Sequence, residues 1–383
     1  MAISVGMVGC GSFAQSFIPL FRDHPMVGRI ALCDINADKL AAGAAKHRVA
    51  ETYASLDDIC RTDLDALVII TQPWLHAPQA IQALVSGKHV YSAVPIISLP
   101  SGDEMLQWCD KLIDAVKRTG LCYMMGETSY YRAEAMFGRR KAAQGVFGHF
   151  VHAQGCYLHD VDSAGSNLRE VSRRRHGENW NMSLSGSAPM HYPTHSIGGL
   201  ISVMGAHMTE VAALGHVTPG DDWHRKDTVH ANEFGNETAL FRMSNGATAE
   251  MREHRRIGHV NFETFSIYGT EASLLSIPPE GTPARWVTKT EVRELDAADM
   301  RDPLPEDVLK AFTKASPTNP YGGHGGSHAY LVHEFVDAVA HDRVPAINAW
   351  EAVRYFAPGV MAHKSALRDG ELLDVPDWGD APH

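Results

Sequence analysis

Residues 3–14 read Ile-Ser-Val-Gly-Met-Val-Gly-Cys-Gly-Ser-Phe-Ala, and they decide the fold of the chain. The apolar run from Ile3 to Val8 predicts a buried strand that passes directly into a Gly-x-Gly-x-x-Ala pattern. In a strand–turn–helix unit Gly9 permits the tight turn, Gly11 lets a pyrophosphate approach the backbone, and Ala14 allows close helix packing. The helix N-terminus then faces the phosphates. This stretch predicts a dinucleotide-binding unit.

The residues that follow alternate short β-branched runs with amphipathic stretches, which is typical of βαβ units. Further strands are predicted at Arg29 to Cys33, Ala66 to Thr71, His89 to Ser92 and Cys122 to Met125. Helices are predicted at Gln15 to His24, Ala37 to His47, Ala77 to Ser86 and Gly102 to Thr119. Residues 1–125 are therefore predicted to form an α/β Rossmann domain with a doubly wound parallel sheet.

Asp34 stands at the end of the second predicted strand, where its carboxylate can accept hydrogen bonds from both hydroxyls of a ribose. Because a 2′-phosphate would meet this negative charge, the sequence favours NAD over NADP. The other residues predicted to bind the cofactor are Gly9, Gly11, Ser12, Phe13, Thr71, Pro73, His76, Ala93 and Pro95. The alternatives are a glycine-rich turn without a ligand and a surface position for His76.

Residues 126–383 have a different pattern, with alternating segments that predict an α+β domain built on an open, mainly antiparallel sheet. We expect this domain to bind substrate, and its last helices to pack back on the first domain. The stretch from Ser163 to Ser187 is polar and rich in arginine, glycine and serine, which predicts a long functional or mobile loop. An open sheet with one unfilled face tends to be covered, so a homodimer or homotetramer is expected.

Composition excludes several classes of protein. The chain has 383 residues, 44% hydrophobic and 21% charged, with a net charge of −11 that disfavours nucleic acid as a partner. No membrane span is expected, because the apolar run from Ala66 to Ile70 is far too short. The N-terminus lacks the pattern of a signal peptide, and the six scattered cysteines suit reduced thiols, so we expect a cytoplasmic protein. No metal-ligand spacing is recognised, and no metal is expected.

Several further motifs resemble one oxidoreductase family. They are the Thr-x-Pro-x-x-His turn at residues 71–76, Gly-Lys-His-Val at 87–90, and a closing segment from Leu331 to Arg354. With the glycine loop, they make the chain similar to the Gfo/Idh/MocA family, whose members carry a Rossmann domain and a C-terminal open-sheet domain. Ordinary dehydrogenases of that family have Glu-Lys-Pro where this chain has Ala-Val-Pro at residues 93–95. The lysine that usually assists proton transfer is absent.

The segment Tyr-Pro-Thr-His at residues 192–195 resembles the NAD-dependent glycoside hydrolases of family 109, a branch that also lacks this lysine. Gly-Glu at 126–127, Tyr-Leu-His-Asp at 157–160 and His-Gly-Gly at 324–326 match the same branch, although His328 replaces its aspartate. The resemblance implies NAD as cofactor and a small-molecule sugar or glycoside as substrate. It also implies catalytic roles for Glu127, Tyr157, Tyr192 and His195, and substrate contacts for His159 and His324.

The residue types agree with this chemistry. His195 can act as acid and base on a sugar hydroxyl, and Tyr192 could share its proton. From strand alternation we expect only one of Tyr157 and His159 to face the site. The alternatives are a satisfied core or surface position for His195, core aromatic positions for Tyr157 and Tyr192, and loop caps for Glu127 and His324.

The arginine-rich run at residues 169–175 has two readings. It is either a solvated face or a recognition site in which Arg173 and Arg175 bind the carboxylate or sulfonate of an anionic sugar.

Three functions remain open at this point. The first is a redox-neutral glycosidase that uses bound NAD, the second is an NAD-dependent sugar or polyol dehydrogenase, and the third is a non-catalytic dinucleotide-binding protein. The Tyr-Pro-Thr-His segment counts against the third, and consumption of NAD separates the first two.

Overall fold

The first sheet is parallel and confirms the predicted Rossmann architecture. The computed structural model describes residues 2–164, 167–276 and 282–382. Within them six strands lie in the order β3-β2-β1-β4-β5-β6, and neighbouring strands run parallel. Their bounds are β1 Ile3–Val8, β2 Val27–Cys33, β3 Glu51–Tyr53, β4 Ala66–Ile69, β5 His89–Ser92 and β6 Tyr123–Met125.

Five helices cover this sheet: α1 Ile18–Asp23, α2 Ala37–His47, α3 Leu56–Cys60, α4 His76–Val85 and α5 Gly102–Thr119. Local sequence sets the ends of α5, because the side chain of Ser101 accepts a hydrogen bond from the amide of Glu104 and Gly120 adopts φ of 66° after the last turn. The predicted bounds of α2 and α5 are confirmed.

Two predictions for this sheet were wrong in detail. The helix predicted from residue 15 begins as a short 3₁₀ turn, Ala14–Ser16, before α1. The edge strand β3 was missed, because it has only three residues, none of them buried.

The second sheet is mixed and mostly antiparallel, with the described strands in the order β14-β13-β12-β11-β7-β10-β9-β8-β15. Its one parallel pair in the described segments is β7 with β10. The bounds are β7 Phe150–Leu158, β8 Met208–Val217, β9 Phe234–Met243, β10 Thr248–His254, β11 Phe262–Gly269, β12 Ala272–Leu275, β13 Arg285–Thr288, β14 Val292–Glu294 and β15 Leu373–Asp374.

Seven further helices lie in the described part beyond residue 126: α6 Ala133–Ala143, α7 Leu168–His176, α8 Thr194–Met204, α9 Ala297–Met300, α10 Glu306–Ala315, α11 Ser327–Ala340 and α12 Ala349–Ala366. The prediction of an irregular loop from Ser163 to Ser187 was wrong for α7, which begins where the side chain of Asn167 accepts a hydrogen bond from the amide of Glu170. Two residues of that predicted loop, 165 and 166, lie outside the described residues.

The buried helix α8 lies against the second sheet and positions the site. A Cβ atom at Gly155 of β7 would overlap the carbonyl oxygen of Ser196, and one at Gly199 of α8 would meet the Phe265 ring. Glycine at both positions lets helix and sheet approach closely. The last two helices join the two parts of the chain, because α11 contacts α1 and β1 while α12 contacts α5, β6 and β8. The boundary at residue 125 stays a prediction.

None of the helices in the described ranges combines the length and the apolar character that a bilayer crossing requires.

We expect Gly155→Ala to lower the free energy of unfolding by about 1–3 kcal/mol, because the added methyl group must displace the backbone of α8. Chemical denaturation measures this difference. Gly258→Ala is the matched control, since a Cβ there has no atom within 4 Å. Equal losses in the two variants would contradict the close approach of β7 and α8.

Candidate active site

The glycine loop after β1 has the shape that a pyrophosphate requires. Gly9 has φ of 98°, and a Cβ atom there would overlap the carbonyl oxygen of Ile70, so only glycine fits. A Cβ atom at Gly11 would have no atom within 4 Å, which leaves open space above the loop. Ser12 and Phe13 are exposed at the rim of this space. The loop can therefore bring its backbone close to a ligand.

Asp34 lies beside the glycine loop and is hydrogen-bonded to it. One carboxylate oxygen accepts a hydrogen bond of 2.7 Å from the amide of Cys10, and the other accepts one of 2.8 Å from the amide of Asn36. Each oxygen keeps a further lone pair, so the carboxylate can also accept from ribose hydroxyls. The glycine loop therefore fixes the orientation of the Asp34 carboxylate.

His76 joins the other two loops predicted to line the cofactor. Its Nδ1 lies 2.8 Å from the carbonyl oxygen of Pro95, and its Nε2 lies 3.2 Å from that of Thr71. Burial lowers the pKa of His76 to about 4, so the imidazole is neutral at pH 7. The alternative of a surface position is wrong, because only 1% of this residue is exposed. Pro73 and Ala93 are buried in the same two loops.

A buried carboxylate and imidazole form the centre of the second half of the site. Glu127 follows β6 and is fully buried, and its Oε1 lies 3.0 Å from Nδ1 of His195 in the first turn of α8. Burial raises the pKa of Glu127, but the charge and hydrogen bond of His195 and the amide of Ser129 outweigh it and hold this pKa at about 2. An ionised carboxylate accepts from Nδ1–H, so Nε2 is the ring nitrogen of His195 that is available to exchange a proton with a substrate.

Two tyrosines and a second histidine surround His195. The ring centroids of Tyr192 and Tyr157 lie 5.3 and 5.4 Å from that of His195. The ring of His324 stacks against it at 6.2 Å. Burial raises the pKa of both tyrosines, so each hydroxyl keeps its proton at pH 7. The structure therefore brings together residues predicted from three separate motifs, together with Glu127.

His159 also faces the site. Its Nδ1 lies 2.5 Å from the hydroxyl oxygen of Tyr157, so the two side chains are hydrogen-bonded. The expectation that only one of these residues faces the site was wrong. Residues two positions apart point to the same face of a strand, and β7 ends between them at Leu158.

Sequence reasoning missed one ion pair and one further arginine beside the cluster. Arg132 pairs with Glu263, whose Oε2 lies 3.8 Å from Nδ1 of His195. Arg255 lies 4.6 Å from the ring centroid of Tyr157 and donates a hydrogen bond of 2.8 Å to its carbonyl oxygen. The partners of the ion pair are 131 positions apart, so no sequence motif indicates them.

The two arginines predicted to bind substrate differ in position. The guanidinium of Arg173 lies 4.7 Å from the ring centroid of Trp180, on an exposed face of α7. The charge of Arg175 acts on Tyr157 and Tyr192, where it partly offsets the rise that burial causes in each pKa. Only Arg175 is thus placed toward the cluster. Across the described segments, no group of three or more potential ligand residues is arranged to hold a metal ion.

Two family models match this chain. "Oxidoreductase family, NAD-binding Rossmann fold" covers residues 3–127, and "Oxidoreductase family, C-terminal alpha/beta domain" covers residues 158–371, which is more than half of the chain. The dinucleotide site described above is therefore an NAD site.

Similar proteins act on sugars. A glycosyl hydrolase family 109 protein of Streptomyces filamentosus is 26% identical, over 98% of this chain and 77% of its own length. An alpha-N-acetylgalactosaminidase of Tannerella forsythia is 22% identical, over 97% of this chain and 85% of its own. The structure of levoglucosan dehydrogenase in complex with NADH and levoglucosan gives a TM-score of 0.76 at 18% identity, covering 98% and 100% of the two chains. That likeness shows the shared fold.

We expect Asp34→Ala to narrow the preference for NAD over NADP, because it removes the charge that would repel a 2′-phosphate. The dissociation constants of both dinucleotides, measured by calorimetry, check this. Asp38→Ala is the control, since Asp38 is an exposed carboxylate in the first turn of α2. Equal affinities for NAD and NADP in the unmodified protein would contradict the prediction.

Proposed function

Because the chain belongs to the Gfo/Idh/MocA oxidoreductase family, we propose that it is an NAD-dependent, redox-neutral glycoside hydrolase. In this reaction C3 of a sugar is oxidised, the C2 proton becomes acidic, the group on C1 is expelled, water adds, and C3 is reduced again. The observation that carries the proposal is the buried pair of Glu127 and His195, which supplies a base where the chain has no lysine at residues 93–95.

His195 acts on the hydroxyl at C3. Its Nε2 accepts the hydroxyl proton. NAD, which Gly9, Gly11 and Asp34 would hold, would supply the acceptor for the C3 hydride when bound. The carboxylate of Glu127, 3.0 Å from Nδ1, stabilises the resulting imidazolium. Since Glu127 has no exposed surface, this ion pair is screened little by water.

The hydrogen bond between Tyr157 and His159 supplies a second route for a proton. When the phenol oxygen takes the C2 proton, its own proton passes to Nδ1 of His159 over the 2.5 Å contact. The neighbouring guanidinium of Arg255 favours negative charge on this phenol. In the proposed reaction, Glu127 with His195 would therefore serve C3, and Tyr157 with His159 would serve C2.

Arg175 supports an anionic glycoside, such as a uronide or a sulfosugar, as the substrate. Its charge reaches Tyr157 and Tyr192 from the exposed helix α7. A guanidinium at the mouth of a cleft can form two parallel hydrogen bonds to a carboxylate or sulfonate.

A sugar dehydrogenase is the second candidate, because the fold matches that of levoglucosan dehydrogenase with a TM-score of 0.76. The two candidates differ in cofactor stoichiometry. A dehydrogenase produces one NADH for each sugar oxidised, whereas a redox-neutral hydrolase shows no net NADH. Absorbance of NADH during turnover of a panel of aryl glycosides, acidic sugars included, separates them.

We expect deuterium at C2 of the sugar product when hydrolysis runs in heavy water, because the C2 proton leaves and returns from solvent. Mass spectrometry and NMR of the product measure it. Displacement by two carboxylates leaves C2 untouched. Hydrolysis without exchange at C2 would contradict the proposed mechanism.

The same assay defines the role of His195. We expect His195→Ala to lose a factor of about 10²–10⁴ in kcat while it keeps its affinity for NAD, because the histidine acts on the hydroxyl proton. His216→Ala, a change at an exposed histidine of β8, is the control. Full activity in His195→Ala would show that another group is the base.

We also propose that the chain forms a homodimer or homotetramer through the outer face of the second sheet. Leu214 and Leu240 are exposed on this face, beside a groove of about 240 Å³ that includes Gln154 and Cys156. Light scattering at micromolar concentration is expected to give at least twice the mass of the chain. The Leu240→Glu variant is expected to give a lower mass. A monomer of the unmodified protein would contradict this.

A further inference from the structure

A pair of histidines beside the active site has no role in the mechanism above. His324 and His328 lie at the turn before α11 and in its first turn, and Nδ1 of His324 lies 2.9 Å from Nε2 of His328. The glycine-rich turn wraps the second ring, since a Cβ atom at Gly323 would lie 2.8 Å from Cε1 of His328. Phe17 stacks on the opposite side, with ring centroids 4.3 Å apart. The ring of His328 is therefore held in one orientation.

A backbone amide determines where the protons lie. The amide of Gly323 donates a hydrogen bond of 3.2 Å to Nδ1 of His328, so this nitrogen carries a lone pair. The proton of a neutral His328 is then on Nε2, which donates to Nδ1 of His324. His324 in turn carries its proton on Nε2. Burial lowers the pKa of His328 to about 3 and of His324 to about 4, so both rings are neutral at pH 7.

In the neighbouring imidazole, that of His195, the hydrogen-bonding role of Nδ1 is the opposite one. Nδ1 of His195 contacts the carboxylate of Glu127, which only accepts, so Nδ1 of His195 carries a proton. The rings of His195 and His324 stack with an interplanar angle of 21°. Two stacked histidines thus differ in their Nδ1 atoms. Nδ1 of His195 donates a hydrogen bond to Glu127, whereas Nδ1 of His324 accepts one from His328.

We infer that His328 is a positioning residue that fixes His324 as a hydrogen-bond donor, whose Nε2–H binds an acceptor oxygen of the substrate. His324 contacts the exposed Phe13 of the glycine loop on one side and His195 on the other. In the part of the chain that the structure describes, Nε2 of His324 has no hydrogen-bond partner, and the residue keeps exposed surface although its ring packs against Phe13, His195 and His328. That the oxygen belongs to a sugar rests on the proposed function.

The tautomers can be measured without any substrate. Protein labelled with ¹⁵N at histidine gives different ¹⁵N shifts for protonated and unprotonated ring nitrogens, and single substitutions assign each ring. We expect the proton on Nε2 in both His324 and His328 at pH 7, and on Nδ1 in His195. His24 and His333 form an internal reference, because the amide of Met26 donates to His24 and His24 contacts Nδ1 of His333 in the same order. A proton on Nδ1 of His324, or a charged ring at pH 7, would overturn the inference.

Two variants of equal size test the direction of the hydrogen bond. His328→Gln places an amide that can still donate to His324, whereas His328→Glu places a carboxylate that can only accept. We expect the glutamate to move the proton of His324 to Nδ1 and to lower kcat/KM at least tenfold more than the glutamine does. His341→Gln, a change at an exposed histidine beyond α11, is the control.

The outcomes for the two proposals are separate. The expected tautomers without exchange at C2 would support the donor role of His324 and contradict the glycosidase. Exchange at C2 with equal effects of the two His328 variants would support the glycosidase and contradict the donor role. Circular dichroism shows whether the His328→Glu variant folds. If it does not fold, the tautomers that NMR measures in the unmodified protein decide whether His324 is a donor.

Discussion

A charged carboxylate with no exposed surface needs partners, and at Glu127 this requirement organises the site. The partners are the amide of Ser129, which follows it in the chain, and the imidazole of His195, which comes from α8. Since α8 rests on the second sheet through Gly155 and Gly199, Oε1 of this carboxylate gains its imidazole partner only when α8 and the end of the first sheet are assembled together. The proposed base, His195, is therefore positioned by contacts that involve both sheets and not by either sheet alone.

The hydrogen-bond partners of a buried side chain also give three imidazoles of this protein different chemical roles. His195 contacts a carboxylate and becomes a base, His324 contacts a neutral imidazole and becomes a donor, and His76 is enclosed by two carbonyl oxygens and joins two loops. The partner of Nδ1 selects the tautomer of His324 and fixes a proton on Nδ1 of His195, and burial lowers the pKa of His76 and of His324 to about 4. Residue type alone does not assign these roles.

Much of the first sheet follows from local sequence, because its signals are short in range. The strand β1, the glycine loop and the caps of α2 and α5 lie within a few residues of the positions that specify them. The helix α7 was missed because most of its residues are polar and none is buried, so no apolar period indicates it. The edge strand β3 was missed for a similar reason, since it contributes no buried residue to the core.

The sequence by itself determined the NAD-binding loop, the acidic residue Asp34 that faces it, and the motifs that hold Glu127, Tyr157, His195 and His324. Each is a local pattern whose residues are adjacent in the chain. Only the tertiary structure decided that these motifs meet, that Arg175 rather than Arg173 lies toward them, and that Glu263 and Arg255 stand beside them. The physical reason is that hydrogen bonds and charges act over a few ångströms in space, and the packing of α8 against the second sheet sets those distances.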